Sequence, residues 1–331
     1  MKKKIGIILL GGTIACVVTE NGMEVTSLAE FCRHFKELEE YEILVDEFKQ
    51  LVGLEIKMEE IVEIAEEVKR LIREEEVDGV VVVQGTNVME EVAFALDMLV
   101  RTEVPVVCTG AMRPATAPSA DGANNLIDAV CTAASDNCWG LGTLVVMNGQ
   151  IHSAQYVKKV HTLNTDAFRS EFLLGYVAEH VPSLRCVPVK RNLPEFHICR
   201  DIAKVFLYVT AVADDGVILD HVLEDGYEGL VIEGTGGGGL PGKIGAKLLA
   251  LNEKVPCVLA SRAGNGDIIF STYGHSFQET VQEQGGCLSN ILDSRKARVL
   301  LILAISSRLG REEISDCFRE FSKNKSLYNM S

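Results

Sequence analysis

Val77-Asp78-Gly79-Val80-Val81-Val82-Val83-Gln84-Gly85-Thr86-Asn87-Val88-Met89-Glu90-Glu91 is the stretch that decides the fold. The unbroken apolar run Val77–Val83 suits a strand buried on both faces of a parallel sheet. Upstream, Ile61, Ile64, Ala65, Val68, Leu71 and Ile72 recur at helical spacing over Met58–Glu76. Downstream, Met89, Val92, Ala93, Leu96 and Leu99 mark a second helix over Asn87–Arg101. The alternation continues with a strand at Val104–Cys108, a helix at Asp121–Ala134 and a strand at Gly142–Met147. This β-α-β-α order predicts a parallel sheet with helices on both faces.

The pattern fades over 181–202, where Pro182, Pro188, Pro194 and Lys190-Arg191 read as a linker. It resumes with strands at Ala203–Thr210, Gly229–Glu233 and Val255–Ser261 and a helix at Lys243–Asn252. The expected fold class is therefore α/β with two domains. A larger N-terminal parallel-sheet domain spans 1–180, and a smaller C-terminal α/β domain spans 203–331.

Composition narrows the partners. The 331 residues include 32 Lys and Arg against 47 Asp and Glu, a net charge of −15. That excess of acid argues against nucleic-acid backbones and anionic membrane surfaces. The ten cysteines show no C-x-x-C spacing. They read as small apolar residues in a reducing cytoplasm. No H-E-x-x-H pair occurs, so neither a metal site nor a cofactor is expected.

Met1-Lys2-Lys3-Lys4 ahead of Ile5–Leu10 has the charged and apolar parts of a signal peptide. A buried first strand over Lys4–Leu10 is the preferred reading, because only six apolar residues precede a glycine pair. No apolar run approaches the roughly 18 residues needed to span a bilayer.

In open α/β sheets, ligands bind outside the carboxyl ends of the strands. Three such ends carry glycines and hydroxyls: Gly11-Gly12-Thr13, Gln84-Gly85-Thr86 and Gly234-Thr235-Gly236-Gly237-Gly238-Gly239. Helix N-capping is the plainer role for a single Thr, but two Gly-Thr strand ends in one domain point to a site. A Thr hydroxyl needs an activating base to attack a carbonyl. Lys158 and Lys159, flanked by apolar Tyr156, Val157 and Val160, are candidates. The glycine run fits G-x-G-x-x-G, a weak dinucleotide signal that Leu240-Pro241 interrupts.

The segments LLGGTIA, QGTNVMEEVAFAL, CTGAMRPATAPSADG, GTLVVMNGQIHSAQYVKKVHTLNTDAF and VIEGTGGGGLP together resemble the bacterial and archaeal L-asparaginase family. The resemblance runs nearly from end to end. It implies two α/β domains, a homo-oligomer (dimer or tetramer) and hydrolysis of a small-molecule amide through an acyl-enzyme. On that resemblance Thr13 is the nucleophile, and Thr86 and Lys159 form a proton relay. Gly12, Gly53, Gly85, Asn87 and Ala111 fall around the substrate, and backbone N–H groups near Thr86 and Ala111 would form the oxyanion hole.

Departures from the family pattern cluster at the positions that grip an amino-acid head. Asn87 replaces the Asp of the family's G-T-D motif, and Gly53 stands near the Ser that binds the α-carboxylate. Gly239 replaces an Asn supplied by a neighbouring subunit, and the loop Val17–Leu28 has no Tyr. Glu20 or Glu24 is the candidate substitute for that Tyr, in a loop expected to be mobile. A charge-assisted contact is about twice as strong as a neutral one, so Asn87 weakens the grip on an ammonium group. It also leaves Lys159 with one carboxylate fewer. The expected activity is therefore amide hydrolysis, of asparagine or of a related amide or imide that presents its head differently. A non-catalytic ligand-binding homologue is the alternative. A tRNA-dependent amidotransferase subunit is disfavoured by the acidic balance and by a GGTIA segment so near the start.

Overall fold

The computed structural model describes residues 2–11, 35–49, 51, 53–199, 201–268 and 277–322, and the backbone of 16–19 and 22–25. The chain divides into two compact units, Met1–Pro188 and Val189–Ser331.

In the first unit the strands are β1 (Lys4–Leu9), the β2–β3 hairpin (Cys16–Thr19, Gly22–Val25), β4 (Glu42–Asp46), β5 (Gly79–Val83) and β6 (Val106–Thr109). They continue as β7 (Thr143–Met147), β8 (Gln150–Ser153), β9 (Lys158–Lys159), β10 (Phe168–Arg169), β11 (Leu173–Ala178) and β12 (Val181–Leu184). The helices are α1 (Met58–Glu74), α2 (Met89–Val100) and α3 (Gly122–Ala133). Eight strands form one sheet in the order β12-β11-β8-β7-β6-β5-β1-β4.

Local sequence explains the parallel half. All five residues of β5 are buried, and its four valines each contribute about 1.5–3 kcal/mol by leaving water. The α1 face predicted from spacing is the buried one, apart from half-buried Ile72. Its start is fixed by Glu60, whose carboxylate accepts the Lys57 N–H at 2.8 Å. Leu71 of α1 packs over Gly6 on one face of the sheet. On the other face, Leu126, Ile127 and Val130 of α3 join Ile5, Ile7, Val81, Val83, Val107 and Leu144 in one core.

The predicted strands are all parallel, and the sheet is extended by strands the sequence reading did not place. β7 to β8, β8 to β11 and β11 to β12 are all antiparallel, so the sheet is mixed. The turn between β7 and β8 is Asn148-Gly149, both residues left-handed, with φ 52° and 69°. That is the two-residue hairpin turn an Asn-Gly pair favours. Residues 181–184, expected to open the linker, form β12 at the edge of this sheet.

The second unit holds β13 (Val205–Val209), β14 (Gly229–Gly234), β15 (Cys257–Ser261) and β16 (Cys287–Leu288), all parallel in that order. Its helices are α4 (Gly242–Asn252), α5 (Phe277–Glu283), α6 (Ser294–Ser306) and α7 (Arg311–Ser322). Leu230, Ile232, Ile244, Leu248, Leu259 and Leu288 form its core.

Candidate active site

The strand order places β1 between β4 and β5, so the connections leaving β1 and β5 diverge. That is a topological switch point, where a crevice opens at the carboxyl ends of the strands. Leu10 closes the pair by donating its N–H to the Val83 carbonyl at 2.9 Å. Gly11 then turns with φ 92°, a conformation glycine adopts without steric cost. Gly12 and Thr13, the expected substrate contact and nucleophile, lie outside the described residues. So does Glu20, while Glu24 is placed only through its backbone in β3.

Two further segments reach this end of the sheet. The Leu51 N–H donates to the Leu10 carbonyl at 2.8 Å, which carries the 51–53 turn to the end of β1. A Cβ on Gly53 would lie 3.6 Å from the Cα of Gly85, so these two candidate binding residues are neighbours. Asn87 is exposed one residue beyond the buried Thr86.

Thr86 and Lys159 meet here. The Lys159 ammonium donates to the Thr86 hydroxyl at 2.8 Å, across 73 residues of sequence. Lys159 sits in β9, where it faces Phe168 of β10, and Val160 extends the ribbon with a bond to the Ala167 carbonyl at 2.8 Å. Partial burial pushes the Lys159 pKa down, and the Glu90 carboxylate opposes that shift. The buried Glu90 side chain also accepts the backbone N–H of Lys159. Asn87 leaves Lys159 with one carboxylate fewer at that position, and Glu90, in the first turn of α2, is an anionic neighbour the sequence reading did not name.

Ala111 is buried, in a loop held by side chains that the sequence reading left unassigned. Asp121 accepts the N–H groups of Met112 and Arg113 at 3.0 and 2.9 Å. Asn125 donates to the Gly110 carbonyl at 3.0 Å and accepts the Asn148 N–H at 2.9 Å. Gly110 itself must lack a side chain, because a Cβ there would overlap the Gln84 carbonyl and press on Met89 and Thr86. Asp121 was legible as the residue opening a helix, but its grip on the 112–113 backbone was not.

The glycine run of the second unit closes on itself. Thr235 and Gly239 exchange backbone hydrogen bonds of 2.8 and 2.7 Å, and the Thr235 hydroxyl donates to the Gly239 carbonyl at 3.1 Å. Those two N–H groups are spent within the loop, which weakens the dinucleotide reading. Among the described residues no group of three or more His, Cys, Asp or Glu is placed to hold a metal ion.

The α/β fold thus sets a hydroxyl and a lysine amine within hydrogen-bond reach at a strand-end switch point, an arrangement compatible with enzymes that use an activated hydroxyl. Comparison with known proteins makes this particular. Residues 4–184 match the family described as Asparaginase, N-terminal, and residues 204–318 match the Glutaminase/Asparaginase C-terminal domain. The L-asparaginase of Bacillus licheniformis is 33% identical over 327 residues, covering 96% of this chain and 99% of its own. A glutaminase-asparaginase of Pseudomonas fluorescens is 28% identical, over 83% of this chain and 77% of its own. The crystal structure of a probable cytoplasmic L-asparaginase from Campylobacter jejuni superposes with a TM-score of 0.86 at 29% identity, over 96% of this chain and all of that one. The chain belongs to the asparaginase family and is an asparaginase-type amidohydrolase.

Proposed function

We propose that the protein hydrolyses a carboxamide through an acyl-enzyme on Thr13, with Thr86 and Lys159 as the proton relay. The hydrogen bond between Lys159 and Thr86 is the observation that carries this reading. With Lys159 as the neutral amine, the Thr13 hydroxyl oxygen attacks the amide carbon while its proton passes to the Thr86 oxygen and the Thr86 proton passes to the Lys159 amine. The tetrahedral oxyanion is held by backbone N–H groups near Thr86 and Ala111. The relay returns the proton to the leaving nitrogen, ammonia departs, and an ester to Thr13 remains. Water, deprotonated by the same pair, then cleaves the ester to the carboxylic acid.

Asparagine is the reference substrate, giving aspartate and ammonia. The neutral Asn87 favours an amide or cyclic imide whose head does not depend on a carboxylate for recognition, and Gly12, Gly53 and Gly85 admit a ligand close to the backbone. The test is ammonia release from asparagine, glutamine and an amide and imide panel. Brisk turnover of asparagine would defeat the altered-head reading. Thermal stabilisation by a ligand without turnover, unaffected by Thr13→Ala, would replace catalysis by binding.

A cytoplasmic setting is supported by the eight described cysteines, all of them free. Among the described residues no helix is long and apolar enough to cross a membrane. A homo-oligomer, dimer or tetramer, is supported by apolar side chains left exposed in and just after β13: Val209, Val212, Val217 and Ile218.

A further inference from the structure

From the placement of its carboxylate we infer that Glu90 is a positioning residue, which bolts the Lys159 backbone to the first turn of α2 so that the Lys159 amine meets the Thr86 hydroxyl. This rests on the reading of Thr86 and Lys159 as the relay. Three observations carry it. Glu90 is only 3% exposed although it is charged and lies in the first turn of a helix. A carboxylate at such a depth is costly unless it is hydrogen-bonded. Its carboxylate accepts a hydrogen bond from the Lys159 N–H, a group of a different element 69 residues away in sequence.

The second observation is the weakness of β9 as a scaffold. It is two residues long and pairs only with the two residues of β10. A ribbon of that size does not hold its own geometry in water. The third is that Thr86 and Glu90 belong to one continuous segment at the end of β5 and the start of α2. One element thus holds both the hydroxyl that Lys159 reaches and the acceptor that fixes its main chain. A relay needs its atoms within hydrogen-bond reach before its pKa matters.

Glu90 also bears on the protonation of Lys159. Among the described residues the other charged and titratable groups on or beside the ribbon are Lys158 in β9, Arg169 in β10, Asp166 and His161. Arg169 is ion-paired to Asp166, and the His161 ring accepts the N–H groups of Leu163 and Asn164. Among the described residues Glu90 is the charge that acts on Lys159, favouring the ammonium form and opposing the effect of burial. Replacing Glu90 by a neutral acceptor would therefore lower the Lys159 pKa and make the free amine available at lower pH.

The experiment compares Glu90→Gln, Glu90→Ala and Glu90→Asp in the full chain, with Lys159→Met as the relay control. Glu90→Gln keeps an acceptor of the same length. It should retain plateau kcat while the rising acidic limb of the pH profile moves to lower pH. Glu90→Ala loses the bolt and should lower kcat by about tenfold or more with little change in KM. Glu90→Asp keeps the charge one methylene short, and should recover the wild-type limb with intermediate kcat. Titration of the Lys159 side chain by NMR with labelled lysine reads the same shift without turnover. If Lys159→Met abolishes activity but all three Glu90 variants match wild type in kcat and in the limb, the positioning role is overturned and the relay stands. If Lys159→Met stays active, the relay fails; the inference then survives only if the NMR titration moves acidward in Glu90→Gln, and is overturned if it does not.

Discussion

Lys159 illustrates how one side chain acquires reactivity from its surroundings. Its side chain is partly withdrawn from water, which draws its pKa below the ordinary lysine value, while the Glu90 carboxylate opposes that shift and the amine stays bonded to the Thr86 hydroxyl. Lys159→Met keeps most of the apolar stem and removes the amine. Amide hydrolysis should fall by about 10²–10⁴-fold, the usual contribution of a positioned acid–base group, and steady-state ammonia release measures it. Gly110 is the second sensitive position. In Gly110→Ala the new methyl meets a main-chain oxygen, with the Met89 methyl at 3.0 Å and the Thr86 methyl at 3.3 Å. Backbone does not yield as a flexible side chain does. We expect a stability loss of about 1–3 kcal/mol in urea denaturation, with reduced activity because Thr86 is displaced.

At the scale of elements, α2 and β8 place two titrating groups in opposition. Asp97 of α2 accepts the Thr143 N–H at 2.7 Å, and desolvation raises its pKa to about 6. Part of its residue surface remains accessible, but its carboxyl is packed among neighbouring atoms, and that packing sets the shift. Between about pH 4 and 6 the unfolded chain has released this proton while the folded chain keeps it. Stability therefore falls as pH rises through this window. His152 of β8 is fully buried, and burial lowers its pKa to about 4. The unfolded chain takes up this proton below about 6.5 while the folded chain stays neutral, so stability rises with pH over much the same window. The two slopes largely offset each other. Asp97→Asn preserves an acceptor for Thr143 and removes one slope. Relative to wild type, the variant should gain up to about 3 kcal/mol between pH 4 and pH 7. Urea midpoints at both pH values decide it; an unchanged difference would show that Asp97 keeps an ordinary carboxyl pKa.

The elements also show where sequence reading succeeded. The valine run of β5 and the i, i+3, i+4 spacing of α1 are local signals, and both elements stand within a few residues of the expected limits. The antiparallel strands β8, β11 and β12 were missed because β8 and β12 are only four residues long, the burial of β11 does not alternate, and their partners are set by turns. Asn148-Gly149 was the signal that would have revealed the first of those turns.

For the whole molecule, the two units share a plan: strands with carboxyl ends that feed glycine- and hydroxyl-bearing loops. Val212 is 94% exposed, and Val209, Val217 and Ile218 are exposed close to it in sequence. The proposed homo-oligomer would cover such residues. Sedimentation should give a mass that is a multiple of the 36.1 kDa chain. Val212→Asp should shift it toward the single chain if this surface is the contact. A single-chain mass for the wild-type protein would remove the proposal.

By itself the amino-acid order determined what depends on near neighbours. It made most of the parallel strands and the helices between them legible, placed a Gly-Thr pair just after the β5 valine run, and fixed a net charge of −15. Propensity, periodicity and motif spacing act over a few residues, so they are legible in one dimension. The tertiary structure alone decided which distant residues meet. It brought Lys159 to Thr86, Gly53 to Gly85 and Glu90 to the Lys159 main chain. It also added three antiparallel strands, β8, β11 and β12, to the edge of the expected parallel ones. Hydrogen bonds of 2.8 Å between residues 73 apart follow from how sheet and ribbon stack, and no local pattern encodes that distance.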